Sequence, residues 1–507
     1  MAKKLEIDPD KLRKLQELEK EGVNVFPYTF PQTHHATEVN EKYASLNSGD
    51  HLKETVAVAG RIMLRRVMGK ASFFHIQDQS GKVQLYLQVD ALGQETYDLL
   101  TKKTDTGDLI GAQGTIFKTK MGEVTVAVEK AEILGKSLIV LPEKYHGLKD
   151  IELKYRQRYV DLFVNPEVRE VFLKREKIIR VVRDYFYERG FLDVDTPVLQ
   201  TVYGGANAKP FITHINAWDM RMYLSISPEL FLKRLLVGGF ERVFTICKNF
   251  RNEDVDPTHN PEFTMMEAYQ AYVDYNAMME HMEQVYEKAC LAVNGTTKIK
   301  HKYRGEEVEI EFKAPWRRLS MIDAIKQYAD IDVTHMTLEH LRDLLRDKRI
   351  SYERKGKLTW GLGVQCLFEE LVEDKLIQPV HIIDHPKEST PLCKAHRNDS
   401  RLIERFESFC LGMEISNAYS ELNDPILQRK LFEEQAKQLR AGNEEAHPHD
   451  DDFLHAMEYG MPPAGGLGMG IDRMVVLLTG QNAIRDVILF PTVKPIEEHD
   501  SEQEEKK

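Results

Sequence analysis

The spacing of apolar residues changes along the chain. Between Asp8 and Gly22, Leu12, Leu15 and Leu18 recur at the three-to-four-residue spacing of one helix face. Asp8 is positioned to cap that helix, with Pro9 in its first turn and Gly22 just past its end. From about residue 52 to 140 the spacing drops to two. ETVAVAGRIML, ASFFHIQD, KVQLYLQVD, LIGAQGTIFKT and VTVAVEKAEIL read as short strands, punctuated by Gly81, Gly107, Gly114 and Gly122. Five such strands predict a small closed barrel, for which the oligonucleotide-binding type is the commonest form. The chain therefore opens with a helical arm over 1–50, a barrel over 51–142 and a polar connector over 143–165 that contains LKDIELKYRQRYVDL.

The helical period returns between 166 and 188, where Val168, Val171, Phe172, Ile178, Ile179, Val182, Tyr185 and Phe186 share a face that stops at Gly190. FLDVDTPVL follows as an extended piece. Beyond it, strands and helices mix without a regular βαβ alternation. ERVFTICKNFRNE and EFTMMEAYQAY predict the arms of an antiparallel hairpin, and so do the pieces around SFCLGMEIS, bent near Leu411–Gly412. The fold class is α+β: a five-stranded barrel, then a domain over 166–496 on an antiparallel sheet flanked by helices. A helix-rich insertion is expected over about 276–400, with Ser320 capping SMIDAIKQYADI. No internal repeat is present.

At 507 residues the chain is long enough for two or three domains. No run reaches the 18 or so apolar residues of a spanning helix, and MAKKLEIDPD holds no apolar signal core, so neither a membrane span nor export is expected. Cys247, Cys290, Cys366, Cys393 and Cys410 form no CxxC pair, which argues against zinc and against a disulfide framework and fits a cytoplasmic location. The net charge of −12 argues weakly against a general nucleic-acid coat and leaves room for a local basic surface, such as RIMLRRVMGK with Arg61, Arg65, Arg66 and Lys70. The acidic tail over 497–507 is expected to be disordered.

Side chains alternate faces along a strand, so parity decides which residues share a pocket. Arg251 and Glu253 point one way and Asn252 the other, while Phe263, Met265, Glu267 and Tyr269 share a face. If these faces coincide, with His259 and Asn260 in the loop, one surface offers a phosphate grip, an aromatic plate and hydrogen-bond acceptors, the parts of an ATP site. Singly, each residue is as well explained by a solvated surface. In GGLGMGIDRMVVLLTG, Gly466, Gly468 and Gly470 alternate with apolar residues, a strand with one bare face, and Arg473 stands where a helix begins. This is not the dinucleotide fingerprint, and no phosphate loop of the GxxxxGK[ST] form occurs. In FESFCLGMEISNAYSELNDP, Asn417, Tyr419 and Glu421 share a face. Glu407 and Glu414 have opposite parity and need the turn to meet, as a pair suited to Mg2+ or as acids paired with Lys or Arg.

RGFLDVDTPVL, FRNEDVDPTHNPEFTMMEAYQAY and GLGMGIDRMVVLL, in that order after a barrel, resemble the three motifs of the class II aminoacyl-tRNA synthetases. The closest likeness is to the subgroup of the lysine, aspartate and asparagine enzymes, over residues from about 50 to 495. The resemblance implies a dimer-interface motif ending near Pro197, hence a homodimer. It implies that Arg251 holds the α-phosphate and the amino-acid carboxylate, and that Glu253 accepts from the adenine amino group. Phe263 would stack on the base with Arg473 on its other face, His259 would reach the γ-phosphate, Asn260 would line the ATP site, and Glu407 and Glu414 would hold Mg2+. Gly205, Glu229, Glu267, Tyr269, Asn417, Tyr419 and Glu421 would form the amino-acid pocket, with Glu267 on the α-amino group. Its acids suit a cationic side chain, so L-lysine and tRNA-Lys are the implied partners rather than aspartate or asparagine. On its own, Glu229 is an acid in the first turn of a helix. In the barrel, Arg66, Phe73 and Gln84 match anticodon-reading positions, and the family's acidic contact aligns at Lys130, beside Glu129 and Glu132. The implied activity is lysine activation by ATP and transfer to tRNA. The alternatives are an aspartate or asparagine sibling, or an inactive RNA-binding paralogue.

Overall fold

The computed structural model describes residues 7–141, 150–253, 255–352, 357–440 and 448–495, and the chain divides into two compact units, Met1–Lys149 and Asp150–Lys507. In the first unit, β1 (His51–Met68), β2 (Ala71–Gln77), β3 (Lys82–Gln88), β4 (Leu109–Lys118) and β5 (Val124–Gly135) close a barrel in the order β1-β2-β3-β5-β4. Inward-facing Val56, Val58, Ile62, Phe74, Leu85, Ile110 and Val126 are almost wholly buried. Truncating a ring such as Phe74 to Ala in a core of this kind costs about 3–5 kcal/mol. The helix Pro9–Lys20 forms where its apolar spacing predicts. The Asp8 carboxylate accepts from the Lys11 N–H at 3.0 Å, and Leu15 and Leu18 pack with Val25 and Ile133.

In the second unit the connector region from residue 151 on is helical, Ile151–Arg156 then Arg158–Val164. Arg158 is buried, ion-paired with Asp161 at 2.8 Å and bonded to the Arg485 and Leu489 carbonyls, so this part packs into the unit rather than linking past it. The expected start of the connector, 143–149, and the expected tail, 497–507, lie outside the described residues.

The strands that follow are β6 (Leu192–Asp193), β7 (Leu199–Gln200), β8 (Ile212–Ile215), β9 (Met220–Leu224), β10 (Arg242–Phe250), β11 (Glu262–Ala271), β12 (Lys298–Tyr303) and β13 (Glu306–Glu311). They are completed by β14 (Arg317–Ser320), β15 (Val380–Pro386), β16 (Leu402–Cys410), β17 (Met413–Ser420) and β18 (Ala464–Gly470). One eight-stranded sheet runs β14-β15-β16-β17-β18-β11-β10-β6, antiparallel from β15 to β10 and parallel only at its two edge pairings. Alternation sorts its residues. Met266, Ala268, Phe406, Ala418, Leu467 and Met469 face a core shared with the helices Pro166–Tyr187, Tyr275–Asn294 and Ile471–Thr479. The residues between them face the other way and build the site.

The insertion expected over about 276–400 is not a single block. The helix Tyr275–Asn294 belongs to the central core, and β14 and β15 extend the main sheet. Between them lie the β12–β13 hairpin and helices packed on their own cluster around Leu341, Val364 and Leu367. Helical periodicity marks those helices, but parallel pairing of a four-residue edge strand such as β14 is a tertiary event with no local signature. Ser320 caps Met321–Ala329 by accepting from the Asp323 N–H.

Candidate active site

A cavity of about 370 Å³ opens on the non-core face of the sheet, lined among others by Glu229, Arg251, Phe263, Glu267, Glu414 and Arg473. Register explains the grouping. β10 and β11 pair Asn249 with Phe263 and Thr245 with Glu267, so the odd-numbered residues of both strands share one face. Arg251 lies just past the end of β10, and its N–H still bonds the Pro261 carbonyl at 3.0 Å, which carries the parity one rung further. Its guanidinium sits 5.1 Å from the Phe263 ring centroid, and its Nε is buried with no hydrogen-bond partner. Burial lowers the pKa of this guanidinium against the pull of Glu414 and Glu253. A buried donor left open at a cavity wall is built to meet an acceptor that is not part of the protein.

Glu253 also lines the cavity, and its Oε1 accepts from the Lys209 N–H at 2.7 Å. Asn252 is exposed and stands apart from the lining, its N–H bonded to the Lys209 carbonyl. In the loop, Asp256 accepts from the N–H groups of Thr258 and His259 and lies 2.8 Å from His259 Nδ1. These bonds outweigh burial and hold the Asp256 carboxyl down at about 2. The Arg473 guanidinium lies 3.2 Å from His259 Nε2 and donates to the Glu414 carbonyl at 2.6 Å, so loop and helix start meet over the cavity. Asn260 is buried with its Oδ1 unpartnered.

The glycine strand is the middle of this wall. β18 pairs Gly466 with Tyr269 on one side and Tyr419 on the other, and Gly468 with Glu267 and Asn417. A Cβ at Gly466 would lie 2.0 Å from Glu421 Oε1 and 2.5 Å from Tyr269 Cε1, so the bare face makes room for its neighbours. Glu267 accepts from Ser227 at 2.7 Å and Tyr269 at 3.0 Å, and burial beside Glu229 pushes its carboxyl up to about 7. Gly205 lines the same end with φ +87°, and a Cβ there would stand 2.8 Å from that of Glu229.

Glu407 and Glu414 meet across the turn expected at Leu411–Gly412, and a bulge illegible in the sequence adds Asn417 to their face. Leu411 and Gly412 both have positive φ, 53° and 65°, the two-residue turn that matches strand twist. A bulge then pairs Ser408 with Ser416 but Phe409 with Glu414, leaving Ile415 extra. The turn alone puts Glu414 on the face of Phe409 and Glu407, and the extra residue sets Asn417 rather than Ser416 opposite Glu407, so that all three share one face. Burial and then Glu407 raise the Glu414 carboxyl above its ordinary value. Arg405, which strand alternation also puts on this face, donates to Glu407 and, at 3.0 Å, to Asn417. It was absent from the residues anticipated, although its parity relative to Glu407 was readable.

Glu421 is the member of the anticipated set that stands apart. It is 1% exposed and does not reach the cavity wall; Lys233, likewise unanticipated, lies between it and Glu229. The i, i+4 spacing of Glu229 and Lys233 on one helix was the available signal.

On the barrel, parity divides SFFHI as expected: Phe74 is core and Phe73 packs outside, 4.9 Å from the Tyr86 ring. Arg66 pairs with Phe73 across β1 and β2 and is exposed. Arg61 and Arg65, in contrast, donate to backbone carbonyls of Gly107, Thr101 and Thr104, which reduces the basic patch to Arg66 and Lys70. Gln84 is buried at 7% exposure; its amide donates to Glu123 at 2.7 Å and accepts from Thr125 at 2.8 Å. The carboxylate beside Gln84 is thus Glu123, whereas Glu129 and Glu132 stand exposed further along β5. Among the described residues, no helix is long and apolar enough to cross a membrane.

Residues 150–494 match the family described as tRNA synthetases class II (D, K and N), and residues 56–134 match the OB-fold nucleic acid binding domain. The lysine–tRNA ligase of Pelotomaculum thermopropionicum is 50% identical over 485 residues, 96% of this chain and 94% of its own length. That of Clostridium novyi is 49% identical over 490 residues, covering 96% and 94%, and that of Clostridium perfringens 49% over 486 residues, covering 95% and 95%.

Proposed function

The chain belongs to the class II tRNA synthetases of the aspartate, lysine and asparagine group, and from that premise we propose how its cavity activates lysine. The protein is an ATP-dependent ligase that joins lysine to tRNA. The observation that carries the mechanism is the polarity of the cavity. Two guanidiniums, Arg251 and Arg473, stand at one end, and the buried carboxylates Glu229 and Glu267 at the other. ATP fits the first end and a dicationic amino acid the second.

In this reading Phe263 stacks on adenine with Arg473 over the other face, Glu253 accepts from the adenine amino group, and His259 and Asn260 meet the phosphates. Arg251 bridges the α-phosphate and the lysine carboxylate, Glu267 takes the α-ammonium, and Glu229 the side-chain ammonium between Tyr269 and Tyr419, with Gly205 and Asn417 shaping the pocket. A carboxylate oxygen of lysine attacks the α-phosphorus in line, the bond to the bridging oxygen breaks, and pyrophosphate leaves with lysyl-adenylate formed. A ribose hydroxyl at the tRNA 3′ end then attacks the carbonyl carbon, and AMP departs. No side chain is covalently modified; the protein contributes position and charge, each well-placed donor being worth about 3–4 kcal/mol.

Glu407 and Glu414 fit Mg2+: two carboxylates share one rim of the cavity, and burial together with Glu407 raises the cost of ionising Glu414. When bound, the ion neutralises phosphate charge. Among the described residues no cluster of three or more His, Cys, Asp or Glu side chains could hold a metal, so the phosphates would complete its shell. On the barrel, Arg66, Phe73 and Gln84, with Glu123 as the acid, form the surface for the anticodon. Leu192, Val198 and Leu199, each more than 40% exposed around Pro197, support a homodimer through this motif. The free cysteines, four of them buried, fit a cytoplasmic setting.

Pyrophosphate exchange across the amino acids tests the reading. Exchange driven by lysine is expected; exchange driven by aspartate or asparagine instead, or by none, overturns it.

A further inference from the structure

Lys233 takes no part in the steps above, yet it is a fully buried cation, 0% exposed, one turn along the helix Glu229–Val237 from Glu229. A buried ammonium is retained only where it is paired. Its Nζ lies 2.5 Å from Glu229 Oε1 and 2.5 Å from Glu421 Oε2, and 5.4 Å from the Tyr419 ring centroid. Burial works against its charge, but the two acids outweigh it and push the ammonium up to about 12. Glu229 Oε1 also accepts from the Tyr419 hydroxyl at 2.6 Å, which fixes the carboxylate from two directions. Glu421 Oε1 has no hydrogen-bond partner and points at the bare face of Gly466.

Glu229, Glu267 and Glu421 are three buried carboxylates at this end of the cavity. When these acids are ionised, the form that the two ammonium groups of a bound lysine favour against burial, Lys233 sets one positive charge against them and leaves two negative charges over. Lysine carries two ammonium groups, while its carboxylate faces Arg251. We propose that Lys233 is a positioning residue for side-chain selection: it clamps Glu229 and Glu421, offsets one of the three acids, and leaves a pocket matched to a dication. A neutral side chain of the same length would then leave a buried carboxylate unpaired, which is the costly case. Without Lys233, Glu229 and Glu421 would lie together with no counter-charge and share a proton. The acid on the wall would become partly neutral, its affinity for an ammonium would fall, and a neutral chain would lose its penalty.

The inference rests on the function proposed above, so the parent protein is assayed first. Absence of lysine-dependent exchange in the parent would refute that function, independently of Lys233. Given such exchange, lysine and norleucine are compared as substrates for the full chain carrying Lys233→Met or Lys233→Arg. In Lys233→Met the KM for lysine is expected to rise at least tenfold and the kcat/KM preference for lysine over norleucine to fall at least a hundredfold. The KM for ATP should stay within twofold. Lys233→Arg, which keeps the charge, should retain the preference within tenfold even with a lower melting temperature. A folded Lys233→Met that keeps the preference within threefold overturns the proposal, as does equal loss in the Met and Arg variants, which would mark a packing role. If Lys233→Met does not fold, Lys233→Gln replaces it with the same expectations. If neither folds, Lys233→Arg decides, and loss of the preference in that variant overturns the proposal.

Discussion

Glu267 accepts hydrogen bonds from Ser227 and Tyr269 and still titrates at about 7, because it is buried and faces Glu229, with Arg251 pulling the other way. Its folded pKa lies above the ordinary 4.5, so the stability it contributes is complete below about pH 4.5 and is lost as pH rises through about 7. Ligand binding runs in the opposite sense. An α-ammonium prefers the ionised carboxylate, so the KM for lysine should fall as pH rises from about 6 to about 8, approaching tenfold per unit below the pKa. Glu267→Gln should show a high and flat KM over that range in the exchange assay. A flat profile in the parent protein would detach Glu267 from the substrate. At this scale much was legible. Strand parity alone put Phe263, Glu267 and Tyr269 on one face of their arm and Arg251 on one face of its own. The register of β10 and β11 makes these a single face, on which all four line the cavity. Lys233 and Glu123 were not singled out, because their importance lies in partners such as Glu421 and Gln84 that are distant in sequence.

Two strands of the site depart from simple alternation, with opposite consequences for reading them. In β18 the departure is compositional: glycine at alternate positions announces a face where something comes close, and Gly466 lies between Tyr269 and Tyr419. Gly466→Ala would drive a methyl group into Glu421 and the Tyr269 ring. Overpacking of this kind costs about 1–3 kcal/mol. Since the displaced groups belong to the end proposed for the amino acid, the KM for lysine should rise at least tenfold while that for ATP stays within threefold. An unchanged lysine KM with a normal melting temperature would show that the bare face serves packing alone. In β17 the departure is geometric. The bulge at Ile415 that sets Asn417 opposite Glu407 leaves no compositional mark, because any residue can be the extra one. The turn at Leu411–Gly412 was visible through its glycine, and it is this turn, pairing Phe409 with Glu414, that puts Glu414 on the face of Glu407.

At the scale of the molecule, the proposed function divides recognition from chemistry between the two units. The residues proposed for activation all lie in the second unit, and the candidate anticodon surface lies on the barrel of the first. Phe73→Ala should therefore leave lysine-dependent exchange within twofold, because exchange needs no tRNA. In aminoacylation it should raise the KM for tRNA tenfold or more, as loss of one stacking platform costs about 1–3 kcal/mol. Equal losses in both assays would refute the division. The sequence by itself determined the barrel, the antiparallel hairpins and the identity of most groups on the cavity wall. These follow from the period-two and helical patterns, from turn glycines and from parity, all of which act within a few residues. Only the tertiary structure decided that β14 and β15 join the central sheet, that a bulge sets Asn417 opposite Glu407, and that Lys233 lies buried between Glu229 and Glu421. Those features depend on pairing and charge compensation between segments far apart in the chain, where the local pattern is compatible with more than one arrangement and the energy of the assembled core selects among them.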